Sequence, residues 1–210
     1  MTRQGRKPRP LRREEKTYRD DRLFVIATED THAPKQYFDV FRNTRIKVRV
    51  LHTEDGLSSP DHVLERLDNF VGDYDTIDED EFWLMLDTDH WIEPNHIDNF
   101  SRVCAAAINK GYGLAHSNPC FELWLLLHLT DIDATDPRDQ FNRCADVERR
   151  LREILGSYSK RNINIKHFRR DKAEIAVGRA EELDESPNDR WPQKTGSHVY
   201  RVVKELLSGQ

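Results

Sequence analysis

Two aspartates, Asp87 and Asp89, follow a largely apolar run in the stretch FWLMLDTDHW. In an extended strand end the side chains of residues i and i+2 point to the same side, so these carboxylates are expected to lie close together. Neighbouring carboxylates repel each other unless a proton or a cation lies between them, and a hard divalent ion is the usual solution. The pair therefore indicates a site for Mg²⁺ or Mn²⁺, although a lone Asp-x-Asp can also cap a helix or a turn.

A third carboxylate favours the metal interpretation. Glu29 comes directly after LFVIAT, residues 23–28, a continuous apolar run typical of a strand buried on both faces. If this strand and the strand before Asp87 belong to one parallel sheet, the acids leave the sheet at the same edge. The sequence thus predicts a metal site formed by Glu29, Asp87 and Asp89.

Alternating strands and helices are predicted to position these acids. The strands are expected at residues 23–28, 45–51, 82–86 and 112–117. The helices between them are expected at residues 34–42, 58–71 and 95–110. Pro34 and Pro60 suit early helical positions, and Gly111 suits a helix end. This order predicts an α/β fold with a parallel-sheet core and helices on both faces, and functional groups beyond the carboxyl ends of the strands.

The second half of the chain is predicted to be mainly helical. Helices are expected at residues 120–129, 139–155, 171–183 and 197–207, with an irregular loop at 184–196. At 210 residues the chain can bury a sizeable core. We expect one domain over residues 21–210 and a flexible arm over residues 1–20.

Cysteine usage and hydropathy limit the class of protein. Cys104, Cys120 and Cys144 are far apart and lack Cys-x-x-Cys spacing, so neither a disulfide framework nor a zinc ribbon is expected. No apolar window approaches 18 residues, and charges occupy the place of the apolar region of a signal peptide. These features predict a cytoplasmic protein without a membrane span.

The first 16 residues form a basic arm on an acidic body. They carry a net charge of +5, and because the whole chain carries −5, the remainder carries about −10. Such an arm is typical of a segment that contacts phosphate, and also of a solubilising terminus. The candidate nucleic-acid contacts in the arm are Arg3, Arg6, Lys7, Arg9, Arg12 and Arg13.

A glutamate after the first strand and an Asp-x-Asp after the third resemble the Toprim arrangement of topoisomerases, bacterial primases and old-type nucleases. Within that group the chain resembles the RloB family of abortive-infection proteins. The resemblance rests on the basic arm and on FVIATEDTHAPKQYF (24–38), WLMLDTDHW (83–91), SNPCFELWLLLH (117–128) and KTGSHVYRVVKELL (194–207). One departure is Thr28-Glu29-Asp30, where the family usually has Cys-Glu-Gly. Without the glycine, phosphate is expected to approach the backbone less closely there.

The resemblance implies a Mg²⁺-dependent nuclease that cleaves RNA or DNA as a toxic effector in anti-phage abortive infection, together with a partner ATPase. Asp87 and Asp89 would hold the metal. Glu29 would be either a third ligand or the general base.

Further acids and polar residues have two interpretations each. Glu122, within an apolar helix, is a candidate fourth catalytic acid because a buried ionisable group needs a partner. It could equally bond the free N–H groups at the helix start. Ser117 and Asn118 could bind phosphate or cap that helix.

A second basic cluster occurs in NINIKHFRR, residues 162–170. Lys166 or His167 could stabilise charge on a phosphate, and Arg169 and Arg170 are candidate nucleic-acid contacts. Such a cluster can also be a solvated surface.

Two other functions compete with a nuclease. Nucleotide-sugar glycosyltransferases also place an Asp-x-Asp after a buried strand, but that interpretation leaves Glu29 and the arm without a role. A non-catalytic Toprim-like subunit that binds the ATPase would tolerate alanine at Asp87. Topoisomerase and primase activities are not expected, because the chain offers neither room for a domain with a nucleophilic tyrosine nor a zinc module.

Overall fold

The structure is a computed structural model that describes residues 21–53, 56–133, 136 and 139–208. The predicted arm, residues 1–20, lies outside the described residues. No helix in the described part of the chain is both long and apolar enough to cross a membrane.

A parallel four-stranded sheet forms the centre of the fold, as the alternating sequence pattern predicts. Its strands are β1 (Arg22–Thr28), β2 (Ile46–Leu51), β3 (Glu81–Met85) and β4 (Gly113–Leu114). The order across the sheet is β2-β1-β3-β4. The chain thus moves outward from β1 to β2 and then returns across β1 to β3. Adjacent carboxyl ends of β1 and β3 form the point where the winding direction reverses, which is the usual ligand site of such sheets.

Helices cover both faces of the sheet. Between the strands lie α1 (Ala33–Phe38), continued by a 3₁₀ turn at Asp39–Phe41, α2 (Pro60–Asp73) and α3 (Ile97–Asn109). Alternate residues of β1 enter opposite cores: Phe24 and Ile26 pack into one cluster, and Val25 and Ala27 into the other. This two-sided burial is the reason that β1 is apolar throughout.

The second half is mainly helical and covers one face. It contains α4 (Glu122–Leu127), α5 (Cys144–Leu155), α6 (Arg170–Leu183) and α7 (Val199–Ser208). A short antiparallel pair joins β5 (Ser117–Asn118) to β6 (Gly196–Ser197). Helix α5 begins later than predicted, because Arg143 is extended and the Asp139 carboxylate accepts a hydrogen bond from the Asp133 N–H at 3.0 Å.

Arg66 and Gly113 help to hold the strands that carry the acids. The Arg66 guanidinium donates to the carbonyls of Thr28 (3.1 Å) and Leu51 (3.3 Å), which are the last residues of β1 and β2. In β4, a Cβ atom added at Gly113 would lie 2.4 Å from the Trp83 ring of β3. Glycine therefore allows β4 to pack against that ring.

Candidate active site

Glu29 and Asp87 leave adjacent strands at the same edge of the sheet. Thr28, the residue before Glu29, pairs with Met85 near the end of β3. The Asp87 N–H donates to one oxygen of Glu29, and the Trp91 indole N–H donates to the other at 3.0 Å. Trp91 was not among the residues predicted from the sequence.

The environment of Glu29 favours its protonated form. The pKa of Glu29 is raised to about 7: burial is the largest cause, the two hydrogen bonds oppose it, and the nearby charges of Asp89 and Asp30 add to the rise. A carboxyl group with this pKa exists in both protonation states near neutral pH. Glu29 can therefore give or accept a proton there.

Asp87 joins the β3 edge to the start of α4. Its Oδ1 accepts a hydrogen bond from the Phe121 N–H at 2.8 Å. Burial raises the pKa of Asp87 well above its usual value, and the charges of Glu29 and Glu122 add to the rise, while Lys160 opposes it. Asp87 thus lies between two other carboxylates.

Asp89 lies in a turn and not on the extended strand that the sequence analysis assumed. The chain turns at Thr88, whose N–H donates to the carbonyls of Ser117 (2.9 Å) and Pro119 (3.1 Å). Burial raises the pKa of Asp89, with His90 as the largest opposing influence. Asp89 in turn raises the pKa of Glu29, so it belongs to the same acidic group.

Glu122 is fully buried and has specific partners. Its carboxylate accepts a hydrogen bond from the Tyr158 hydroxyl at 2.8 Å and lies 3.1 Å from Lys160 Nζ. Burial raises its pKa, and Lys160 is the main opposing influence. The alternative role as a cap of backbone N–H groups is not what the structure shows.

Lys160 is the cation of this site. Its Nζ also lies 3.6 Å from Glu148 and 4.0 Å from Asp30. Burial lowers the pKa of Lys160, but Glu122, Asp87 and Asp30 outweigh it, and the net pKa is raised. Lys160 is therefore positively charged beside four carboxylates. We use the term acidic site for Glu29, Asp87, Asp89 and Glu122 together with Lys160.

A disulfide between Cys120 and Cys144 borders the acidic site, contrary to the expectation of no disulfide. Cys120 lies just before α4 and Cys144 begins α5, and their Cα atoms are 5.5 Å apart. Packing of α4 on α5 joins residues 24 positions apart, which sequence spacing does not reveal. With both cysteines reduced, ligand atoms of Cys120, Glu122 and Cys144, all within 4.8 Å of one another, could hold a soft metal ion.

The predicted basic cluster lies apart from these contacts. Lys166 is exposed and makes no ion pair with any residue in the described part of the chain. Arg169 pairs with Asp171 at 3.0 Å, and Arg170 donates to the Leu206 carbonyl at 3.5 Å. Both arginines line a cleft next to α7.

Ser117 and Asn118 hold the β5–β6 pair together. The Ser117 hydroxyl is buried and lies 2.7 Å from the Ser197 hydroxyl. The Asn118 amide donates to the Pro192 carbonyl at 3.0 Å. Neither side chain caps α4, so the capping interpretation was wrong. Arg3, Arg6, Lys7, Arg9, Arg12 and Arg13 lie outside the described residues.

Comparison with known proteins identifies a family. The family model described as RloB-like protein matches residues 24–206, which is most of the chain. No curated protein matches significantly. No solved structure does so either.

Proposed function

We propose that this chain, which belongs to the RloB-like protein family, is a metal-dependent nuclease that hydrolyses phosphodiester bonds in RNA or DNA. We further propose that it acts in the cytoplasm as a toxic effector of anti-phage abortive infection, together with a partner ATPase. The biological role rests on the resemblance to abortive-infection proteins. The chemistry rests on the acidic site.

The observation that supports this proposal is the crowding of carboxylates at the reversal point of the sheet. Glu29, Asp87 and Asp89 all have raised pKa values, and burial is the largest cause for each. Three partly desolvated acids at one edge are electrostatically unfavourable without a counter-charge. Their oxygen atoms are of the type that Mg²⁺ and Mn²⁺ prefer, so the donor chemistry suits such an ion. Among the described residues, the set whose ligand atoms already lie within 4.8 Å of one another is Cys120, Glu122 and Cys144, so we expect the three acids to move closer together when a metal binds.

The hydrogen bonds suggest how the acids divide their roles. Donors already contact both oxygens of Glu29. Asp87 uses only Oδ1 for the Phe121 N–H, and its Oδ2 accepts no hydrogen bond from another described residue. We assign Asp87 and Asp89 to the metal and Glu29 to proton transfer. When bound, Mg²⁺ or Mn²⁺ would polarise a phosphate oxygen and lower the pKa of water.

Lys160 replaces Lys166 in this proposal as the cation that acts on the phosphate. Its ammonium group is held among carboxylates that keep it protonated. A fixed positive charge at this position would attract the substrate phosphate and stabilise charge that develops on it. Glu122 contacts Lys160 and is itself held by the Tyr158 hydroxyl, so both are positioning residues.

The test is cleavage of end-labelled RNA and DNA by the purified protein with Mg²⁺, with Mn²⁺ and with EDTA. Asp87→Asn keeps the oxygen that accepts from the Phe121 N–H but removes the charge. We expect this variant to lose metal binding in calorimetry and about 10²-fold or more of the cleavage rate. Asp131→Asn, which changes an exposed acid paired with Arg179, is the matched control.

Equal metal affinity in Asp87→Asn and the wild type would contradict the site assignment. Full toxicity of Asp87→Asn in cells that express the partner ATPase would favour a non-catalytic binding subunit. Release of sugar from a nucleotide sugar, without cleavage of nucleic acid, would favour a glycosyltransferase.

A further inference from the structure

A cleft of about 350 Å³ lies beside the acidic site. Part of its wall is formed by Thr31 and His32, which follow Glu29 by two and three residues. Another part is formed by Arg161, the neighbour of Lys160. Because both segments come directly from residues of the acidic site, a molecule in the cleft would be close to the carboxylates.

Two exposed cations without an ion pair to any described residue line this cleft. Lys35 and Arg161 line it, both are exposed, and neither makes an ion pair within residues 21–53, 56–133, 136 and 139–208. The one acidic residue of its wall, Asp39, is paired with Arg42 at 3.3 Å. The cleft therefore offers positive charge that no described acidic residue pairs with.

A second cleft, whose wall contains Arg49, Arg66 and the acid Glu65, lies along the carboxyl end of β2. It has a volume of about 560 Å³ and shares His52 with the first cleft. Its wall includes Arg49, whose guanidinium lies over the Phe70 ring at 5.0 Å and is exposed. Arg66 also lines it but donates to backbone carbonyls and holds the strands. We use the term basic track for Lys35, Arg161, His52 and Arg49.

We propose that the basic track binds the phosphodiester backbone of a nucleic-acid strand and leads it to the acidic site. This inference rests on the proposed nuclease function and adds the path of the substrate. A cluster of carboxylates repels phosphate, so a polyanion needs compensating cations next to it in order to approach. Contacts with phosphate are independent of base sequence, so they position a strand without selecting its sequence.

Binding without cleavage provides the test. The fluorescence anisotropy of labelled single-stranded RNA and DNA of one sequence is titrated with the full chain in EDTA at several salt concentrations. Lys35→Gln and Arg161→Gln each remove one exposed cation. Arg45→Gln is the matched control, because Arg45 is exposed and has no ion pair in the described part of the chain. Arg45 directly precedes β2, at the amino ends of the strands and away from the acidic site.

Each lost phosphate contact should reduce the slope of log K against log salt by about 0.7 for a single strand. At 0.15 M salt this slope corresponds to about fourfold weaker binding per variant and about fifteenfold for the double variant. Arg45→Gln should bind like the wild type. A stronger effect with RNA than with DNA, or the reverse, identifies which nucleic acid follows the track.

The proposal fails if Lys35→Gln and Arg161→Gln keep the affinity and salt slope of Arg45→Gln, or if the wild type binds neither nucleic acid. This failure is distinct from failure of the nuclease assignment. If the track variants weaken binding in EDTA but the wild type cleaves nothing with Mg²⁺ or Mn²⁺, the basic-track proposal is supported and the nuclease proposal is contradicted. If cleavage depends on Asp87 but binding is unchanged by substitution of Lys35 and Arg161, the nuclease proposal is supported and the basic-track proposal is contradicted.

Discussion

Replacing Glu29 by glutamine should stabilise the metal-free protein at neutral pH and destabilise it slightly in acid. The carboxyl group is partly buried among other acids, and its pKa is raised to about 7 from an ordinary value of 4.5. Between these two pH values the folded state binds more protons than the unfolded state. The free energy of unfolding of the wild type must therefore fall as pH rises through this window and remain lowered above it.

The size of the effect follows from the pKa difference. A shift of one pKa unit corresponds to about 1.4 kcal/mol, so the ionised Glu29 costs the fold about 3 kcal/mol at pH 7.5. Glutamine removes this cost but has one acceptor oxygen for the two donors, Asp87 N–H and Trp91 Nε1–H, which costs about 1 kcal/mol. We expect Glu29→Gln to be about 1 kcal/mol less stable than the wild type at pH 4 and about 2 kcal/mol more stable at pH 7.5.

Urea unfolding in EDTA, repeated from pH 4 to pH 8, measures this difference. Glu174→Gln is the control, because Glu174 is an exposed glutamate of α6 and its substitution should give a profile parallel to the wild type. A constant offset between Glu29→Gln and the wild type across the whole range would refute the reasoning. It would mean that Glu29 does not titrate in a desolvated acidic environment.

The same variant tests the proposed role of Glu29 in catalysis. If Glu29 accepts a proton in the reaction, Glu29→Gln should lower the cleavage rate by about 10²-fold or more while the fold is retained. Rate and stability then change in opposite directions at pH 7.5. Loss of both together would instead make Glu29 a structural residue.

Two further predictions concern the packing around the site. Lys160→Met should lower the free energy of unfolding by about 3 kcal/mol, because it leaves Glu122 buried without its cation. Adding Glu122→Gln should recover much of that loss, which a double-mutant cycle measured by urea unfolding would show. Gly113→Ala should lower the free energy of unfolding by about 1–3 kcal/mol, because the new Cβ collides with the Trp83 ring. Gly72→Ala, which has open space around it, should change the free energy of unfolding little.

The sheet could be predicted because its strands and helices are encoded by local patterns. The run 23–28 is apolar because β1 is buried on both faces, and helical spacing with Pro60 indicated α2. The start of α5 was placed too early: the backbone at Arg143 is extended, and the helix begins at Cys144. Local preference alone does not fix such a boundary.

The acidic site was partly predictable for a related reason. Carboxyl ends of parallel strands meet at one edge, so Glu29 and Asp87 could be placed together from strand order alone. Lys160 could not be placed, because it lies in an irregular segment after α5 whose position depends on long-range packing. Lys166 was chosen from charge density in the sequence, which does not indicate what a side chain faces. The disulfide was missed for the same reason as Lys160.

The two halves of the chain make different contributions to the acidic site. The sheet supplies Glu29, Asp87 and Asp89, whose mutual repulsion opposes folding. The helical half supplies Lys160, which lowers the pKa of Asp87, and the Phe121 N–H, which binds the Asp87 carboxylate. Docking of the helical half therefore offsets part of the repulsion at this acidic edge. Docking rests on the apolar cluster that the two halves share, and the carboxylates add to it, because Lys160 lies among four acids from both halves. Stability and the arrangement of the site are coupled through Lys160, and a substitution there should affect both.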